Sequence, residues 1–283
     1  MRGEPSDAVA RRWEGGRLST SPLFRMSRLL ALLALVHAGP VVAQSTISTD
    51  RPGLTFNPTV VPAGAFQVEV GTPQVTSGGD ATLVNAPTQL RYGITPRLEA
   101  RVFSTLFNDL SVDGLSVEGA TSEASGFGDI EVGFKYQILT AAPGGTPNLS
   151  FIPTVVIPVG DDDLVGISTV SDPVVNANVA AGFALPSGLG ITLLAGATIP
   201  TADNANVNAN LVGLVGRSFT PQLSGYVEAG AFPSDAVTPL YAGAGLAYLV
   251  SNRVQLDAFF DAGLNDAAVD LIAGVGISAR FGR

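Results

Sequence analysis

One stretch constrains this chain more than any other. Residues 253–281 read RVQLDAFFDAGLNDAAVDLIAGVGISARF. Val254, Leu256, Ala258 and Phe260 alternate with Gln255, Asp257, Phe259 and Asp261. After a polar break at Gly263-Leu264-Asn265-Asp266 the rhythm resumes. Leu271, Ala273, Val275, Ile277, Ala279 and Phe281 then share one face, and Gly274, Gly276, Ser278 and Arg280 the other. A period of two is the signature of β-strands. A soluble sheet alternates too, but it seldom sets charges such as Asp257 and Arg280 on a face that has to be packed. In a membrane barrel the apolar face meets lipid and the polar face a wet lumen.

The rest of the chain repeats this rhythm. Alternating runs occur near 66–76, 83–94, 97–107, 129–139, 149–157, 174–184, 189–199, 207–217, 223–232 and 240–250. With the two C-terminal runs they predict about twelve strands, each near the length that a tilted membrane strand needs. Short turns at 95–96, 141–146, 186–188, 220–222 and 251–252 alternate with longer breaks, the longest at 108–125 and 160–172. An even strand number and loops that are long at one end only are what a closed antiparallel transmembrane β-barrel requires. The expected fold class is therefore all-β, with residues 66–283 as the barrel. Pro87 and Pro153 interrupt two strands, and bulges or shifted strands are expected there.

Before the barrel, residues 44–65 form a lead-in rich in Pro and Thr, in which Pro52, Pro58 and Pro62 prevent a regular strand or helix. Residues 26–43 have the pattern of a secretory signal. Met26-Ser27-Arg28 is a charged start, 29–36 an apolar run and Val41-Val42-Ala43 a small-residue cleavage site. Residues 1–25, polar and Arg-rich, read as a non-native upstream extension. The net charge of the whole chain is −9; residues 1–43 hold six basic and three acidic residues, so without them it becomes −12. An acidic chain of this kind is a poor partner for nucleic acid.

The lead-in motif Thr49-Asp50-Arg51-Pro52-Gly53, followed by residues 60–69 (VVPAGAFQVE), resembles the opening of a family of outer-membrane transporters. That family is named for the meta-cleavage pathway of phenol degradation. Leu90-Arg91-Tyr92-Gly93-Ile94-Thr95, residues 128–136 (GDIEVGFKY) and Gln255-Leu256-Asp257 fit the same pattern. The resemblance covers roughly residues 48–281. It implies an outer-membrane location and the movement of small, often aromatic, molecules. It implies contact with outer-membrane lipid and with the barrel-assembly machinery as well. Such barrels commonly end in an aromatic residue, whereas here Gly282 and Arg283 follow Phe281.

The chemistry the chain lacks narrows the function. There is no Cys, and residues 44–283 contain no His, because His37 is the only one. Ser–His and Cys–His nucleophile pairs are excluded there, and so is the usual zinc site. No catalytic residue, metal site or cofactor is expected, and no enzymatic activity. Asp257 and Asp261 share a face and could form a carboxylate pair, although lumen wall is the reading their setting favours. Asp161-Asp162-Asp163 lacks the spacing of an EF-type calcium loop and reads as a solvated loop.

The expected pore-lining residues are Glu69, Arg91, Glu99, Arg101, Glu131, Lys135, Glu228, Asp257, Asp261 and Arg280. Asp50 and Arg51 are a candidate latch, or else a solvent-exposed turn before Pro52. Parity allows Arg91 to pair with Glu99 or with Arg101 across the hairpin turn, and either places all three on the lumen face. The basic residues lie near the short turns, and most acidic ones lie in the opposite loops. The expected function is passive passage of small, aromatic or hydrophobic solutes through the outer membrane. The alternative is a closed-lumen barrel serving structure or surface binding.

Overall fold

The computed structural model describes residues 46–112, 123–142, 145–167, 169–203 and 205–282. The expectations for residues 1–43, and for Asp113, Glu118 and Arg283, fall outside these. Thirteen strands occur among the described residues: β1 (Phe66–Gly78), β2 (Ala81–Thr95), β3 (Leu98–Val112), β4 (Glu123–Gly126), β5 (Ile130–Leu139), β6 (Asn148–Ile157), β7 (Val174–Ala184), β8 (Leu189–Pro200), β9 (Asn208–Ser218), β10 (Leu223–Ala231), β11 (Leu240–Ser251), β12 (Val254–Gly263) and β13 (Leu271–Phe281). Neighbours in sequence pair antiparallel around the ring, and β1 pairs with both β2 and β13, which closes it.

The short β4 does not add a stave. Asn108–Ser111 of β3 pair with β4, while Leu98–Ser104 pair with β5, so β4 and β5 together form one. The result is a closed barrel of twelve staves. Residues 108–112, expected as loop, extend β3 instead. The two prolines behave differently. At Pro87 the β2–β3 register shifts, as a missing N–H within a ladder predicts. At Pro153 the β6–β7 register runs on unbroken with Pro153 opposite Ala177, and pairs drop out only on the β5 side. In an antiparallel ladder a residue's own N–H serves one neighbour only. Pro153 therefore costs the β5 ladder and needs no bulge.

Alternation now has a physical meaning. The outward residues Leu90, Tyr92, Val102, Phe134, Tyr136, Leu256, Phe260 and Val275 are exposed, while Gln67, Glu69, Arg91, Glu99 and Lys135 on the inner face have no exposed surface. The outward rings of Tyr92, Tyr136, Phe183 and Tyr248, each within three residues of the short-turn end of its strand, are exposed, as an aromatic girdle at a membrane interface requires. The loop between β6 and β7 folds inward at the other end. Its Leu164 is fully buried against Leu83 and Leu110. Asp129 pins this loop by accepting hydrogen bonds from the N–H groups of Val159, Gly160 and Val170.

Candidate functional site

The lead-in runs through the barrel interior and acts as its plug. Asp50 is its centre. Lys135 Nζ lies 2.7 Å from Asp50 Oδ1, Arg101 Nη2 2.9 Å from Oδ2, and Arg91 Nη1 3.6 Å from Oδ1. Arg91 also reaches Glu69 at 2.8 Å and Glu99 at 2.8 Å. Three cations thus meet three carboxylates from β1, β2, β3, β5 and the plug. Burial alone would push the Asp50 carboxyl up, but Arg91, Lys135 and Arg101 reverse this and hold it well below the usual carboxylate range.

The plug backbone is held by the same carboxylates. Glu69 accepts from the N–H of Asp50 and of Arg51, Glu99 from that of Val61, and Glu228 from that of Leu54. These bonds satisfy groups that the prolines keep out of any regular ladder. Arg51 points the other way, with Nη2 3.2 Å from Asp257 and its guanidinium 5.7 Å from the Phe259 ring centre. It lies over Gly71 and Gly276, neighbours across β1 and β13, where a Cβ on either would meet the guanidinium. Gly53 adopts φ +101°, and a Cβ there would run into Glu228 and Tyr226.

The predicted positions can now be placed. Glu69, Arg91, Glu99, Arg101 and Lys135 form the ionic cluster with Asp50. Arg91 stands opposite Arg101 in the ladder, not opposite Glu99. Glu228, Asp257, Asp261 and Arg280 are buried on the inner face, and Glu131 is half-buried. Arg280 Nη1 reaches Thr46 O at 3.5 Å. Asp50 is buried, so it does not form a solvent-exposed turn. Asp161 is engaged too, because its carboxylate accepts from the Phe127 N–H at 2.5 Å. Asp162 and Asp163 stay exposed.

The sequence reading missed the opposite wall. Strands β6 to β9 carry a single charged residue, Arg217. Their inner face has Ile152, Ala180, Leu194 and Val212 at its middle, with Leu54 and Phe56 of the plug and Phe232 packed on them. Toward the short turns an open cavity of about 540 Å³ lies between the plug and this wall. It is lined by Ser48, Asn57 and Thr59 on one side and Asn148, Gly182 and Thr192 on the other, with Arg280 at its edge. The signal in the sequence was the run without charge, which is legible once the strands are known to be adjacent.

A closed antiparallel barrel with an apolar outer belt and a polar, plugged interior defines the class: this is the fold of bacterial outer-membrane β-barrels. Residues 49–281 match the family described as "Putative MetA-pathway of phenol degradation", and the chain belongs to that family. The fold is similar to that of the COG4313 outer membrane channel from Pseudomonas putida F1, with a TM-score of 0.62 at 16% identity over 82% of this chain and 99% of that one. Weaker likenesses are to the NanC porin (TM-score 0.49, 10% identity, 77% and 100% covered) and the CymD monoaromatic hydrocarbon channel (0.42, 8%, 79% and 90%). No curated protein matches the sequence significantly.

Proposed function

We propose that the protein is a passive channel of the bacterial outer membrane for small uncharged solutes, aromatic and hydrophobic ones included. The observation that carries this is the division of the lumen. The inner faces of β6 to β9 carry no charge, and the cavity of about 540 Å³ lies between the plug and that wall, with Arg280 at its edge. A buried, compensated ionic cluster offers a solute nothing to bind. The uncharged wall offers apolar contact and neutral hydrogen-bonding groups, the usual make-up of a site for a small organic ligand. The family's description in terms of phenol degradation agrees with such a cargo.

In this reading the protein is not an enzyme. Residues 26–43 direct secretion and are removed, and residues 1–25 do not belong to the working protein. Its partners are the solute, outer-membrane lipid and the assembly machinery. Arg280 lines the conduit at the edge of the cavity, Glu131, Glu228, Asp257 and Asp261 face the same lumen, and Asp50 and Arg51 with the ionic cluster latch the plug. The packing of Leu54 and Phe56 on Ile152, Leu194 and Val212 is the narrow point, which ions cross poorly because it strips their water.

Planar-bilayer recordings and solute uptake into proteoliposomes test this. We expect small but measurable conductance and uptake of neutral aromatics above empty liposomes. Deleting residues 46–63 should raise conductance while the barrel stays folded. A barrel that passes neither ions nor solutes, with or without the plug, would leave only the structural alternative.

A further inference from the structure

Resting on the channel reading, we infer that the inner wall of β7 to β9 holds a binding station for hydroxylated, uncharged aromatic solutes, formed by Asn176, Asn178 and Asn210 above the apolar narrow point. The register builds it row by row. Thr154, Asn176, Thr198 and Asn208 face one another across β6 to β9. The next row inward is Ile152, Asn178, Gly196 and Asn210, and the row after that contains Ala180, Leu194 and Val212. Successive rows on one face lie about 7 Å apart along a strand, so the amides stand one ring's length from the apolar patch.

The amides are only partly used by each other. Thr198 Oγ1 donates to Asn176 Oδ1 at 2.9 Å, and Asn210 Nδ2 donates to Asn178 Oδ1 and Thr198 Oγ1 at 3.3 Å each. That leaves the Nδ2 donors of Asn176 and Asn178 and the Oδ1 acceptor of Asn210 unspent by the protein. Asn176, Thr198 and Asn210 are half-buried on the inner face, so a solute in the lumen could reach them. Asn178 lies across Gly196, where a Cβ would collide with its Oδ1, so the bare glycine lets the amide swing toward Asn210. Thr154 Oγ1, in the first row, is buried with no hydrogen-bond partner.

A phenolic hydroxyl both donates and accepts, and this set offers both functions within one arm's reach. The ring would lie against the patch that Phe232, Leu194 and Val212 continue. An anion gains less, because no cation stands among these strands' inner residues. A bare hydrocarbon leaves the amides unpaired, which is how a hydrogen-bonding site rejects the analogue lacking the group.

The test is fluorine NMR of para-fluorophenol and fluorobenzene with the full-length barrel in lipid nanodiscs near neutral pH, with empty nanodiscs subtracted. We expect para-fluorophenol to bind about tenfold more tightly than fluorobenzene. Asn178→Leu with Asn210→Leu should bring that ratio near one, with fluorobenzene binding kept. The milder Asn176→Ala should lower it in part, which keeps the test valid if the double variant misfolds. A ratio near one in the parent protein overturns the station, and so does a ratio unchanged in the variants. Planar-bilayer conductance of the same protein separates the two readings: a conducting barrel without hydroxyl preference sinks the station alone.

Discussion

Arg91 and Glu99 are joined by two parallel hydrogen bonds, Nε to Oε1 at 2.9 Å and Nη2 to Oε2 at 2.8 Å. The ladder nevertheless sets Arg91 opposite Arg101 and Glu99 opposite Gly93. Glu99 is thus a diagonal neighbour, and the bidentate bond reaches along the hairpin. Two arginines can face each other because Asp50 takes one nitrogen of Arg101 and Glu69 and Glu99 take those of Arg91.

Charge reversal at Glu99 should therefore do more than change ion selectivity. Glu99→Lys removes the Arg91 clamp, the Val61 N–H acceptor and a neutralising charge. We expect the plug to loosen and single-channel conductance to rise. Unaltered conductance and selectivity would show that the cluster holds without it.

Asp50→Asn should release the plug. One partner of a buried ion pair left alone costs about 3–5 kcal/mol, and here three cations lose their shared carboxylate. Limited proteolysis should cut the lead-in of the variant and spare that of the parent.

The pH dependence follows from the same group. The Asp50 carboxyl is depressed below its ordinary value of 3.8 in the folded protein. Its contribution is whole above that value and is withdrawn only as the pH falls through the lower, folded one. Lead-in protection should thus persist from neutral pH down to the ordinary carboxylate range and fail only in stronger acid. Loss of protection already in mildly acidic solution would count against Asp50 as the anchor.

Gly276→Val tests the second anchor. A side chain there occupies the place of the Arg51 guanidinium. We expect Arg51 to leave Asp257 and the lead-in to become more susceptible to protease, with the barrel still closed. Folded barrel should run faster than boiled protein on an unheated gel, because a closed sheet offers no edge from which to unzip. Equal mobility of the two would speak against closure in either protein.

At the long-loop end Asp80, Asp109, Asp162, Asp163, Asp172, Asp203, Asp235 and Asp266 are exposed. A rim of one sign acts over about 8 Å at physiological salt. Residual ion current should prefer cations, read from reversal potentials under a salt gradient. Anion preference would place selectivity at the Arg91–Arg101–Lys135 cluster instead.

The strands were legible because lipid enforces a strict period of two. Even Val207 to Arg217, which alternates weakly, pairs in register as β9. The inner residues of β1 to β5 were legible as charges on an apolar background. What was hidden was partnership. Asp50 lies 85 positions from Lys135 and Arg51 206 from Asp257, and no periodicity links a proline-rich lead-in to strands so distant. The uncharged wall was hidden for the opposite reason: Asn176, Asn178, Thr198 and Asn210 look like ordinary strand residues until adjacency groups them.

The plug's anchors are unevenly spread along the chain, and this bears on how the molecule is assembled. Every ionic partner of Asp50 lies on β2, β3 or β5, and the carboxylate that holds its backbone lies on β1. Those strands follow the lead-in directly, so the anchor can form while most of the ring is still unmade. Arg51 waits for β12 and β13, the strands farthest along the chain. We expect the early staves to capture the lead-in as they form, with Arg51 as the final seam. In intermediates trapped before closure the Asp50 N–H, held by Glu69 of β1, should already be protected from hydrogen exchange while the Leu54 N–H, held by Glu228 of β10, still exchanges, and the reverse order would refute this sequence of events.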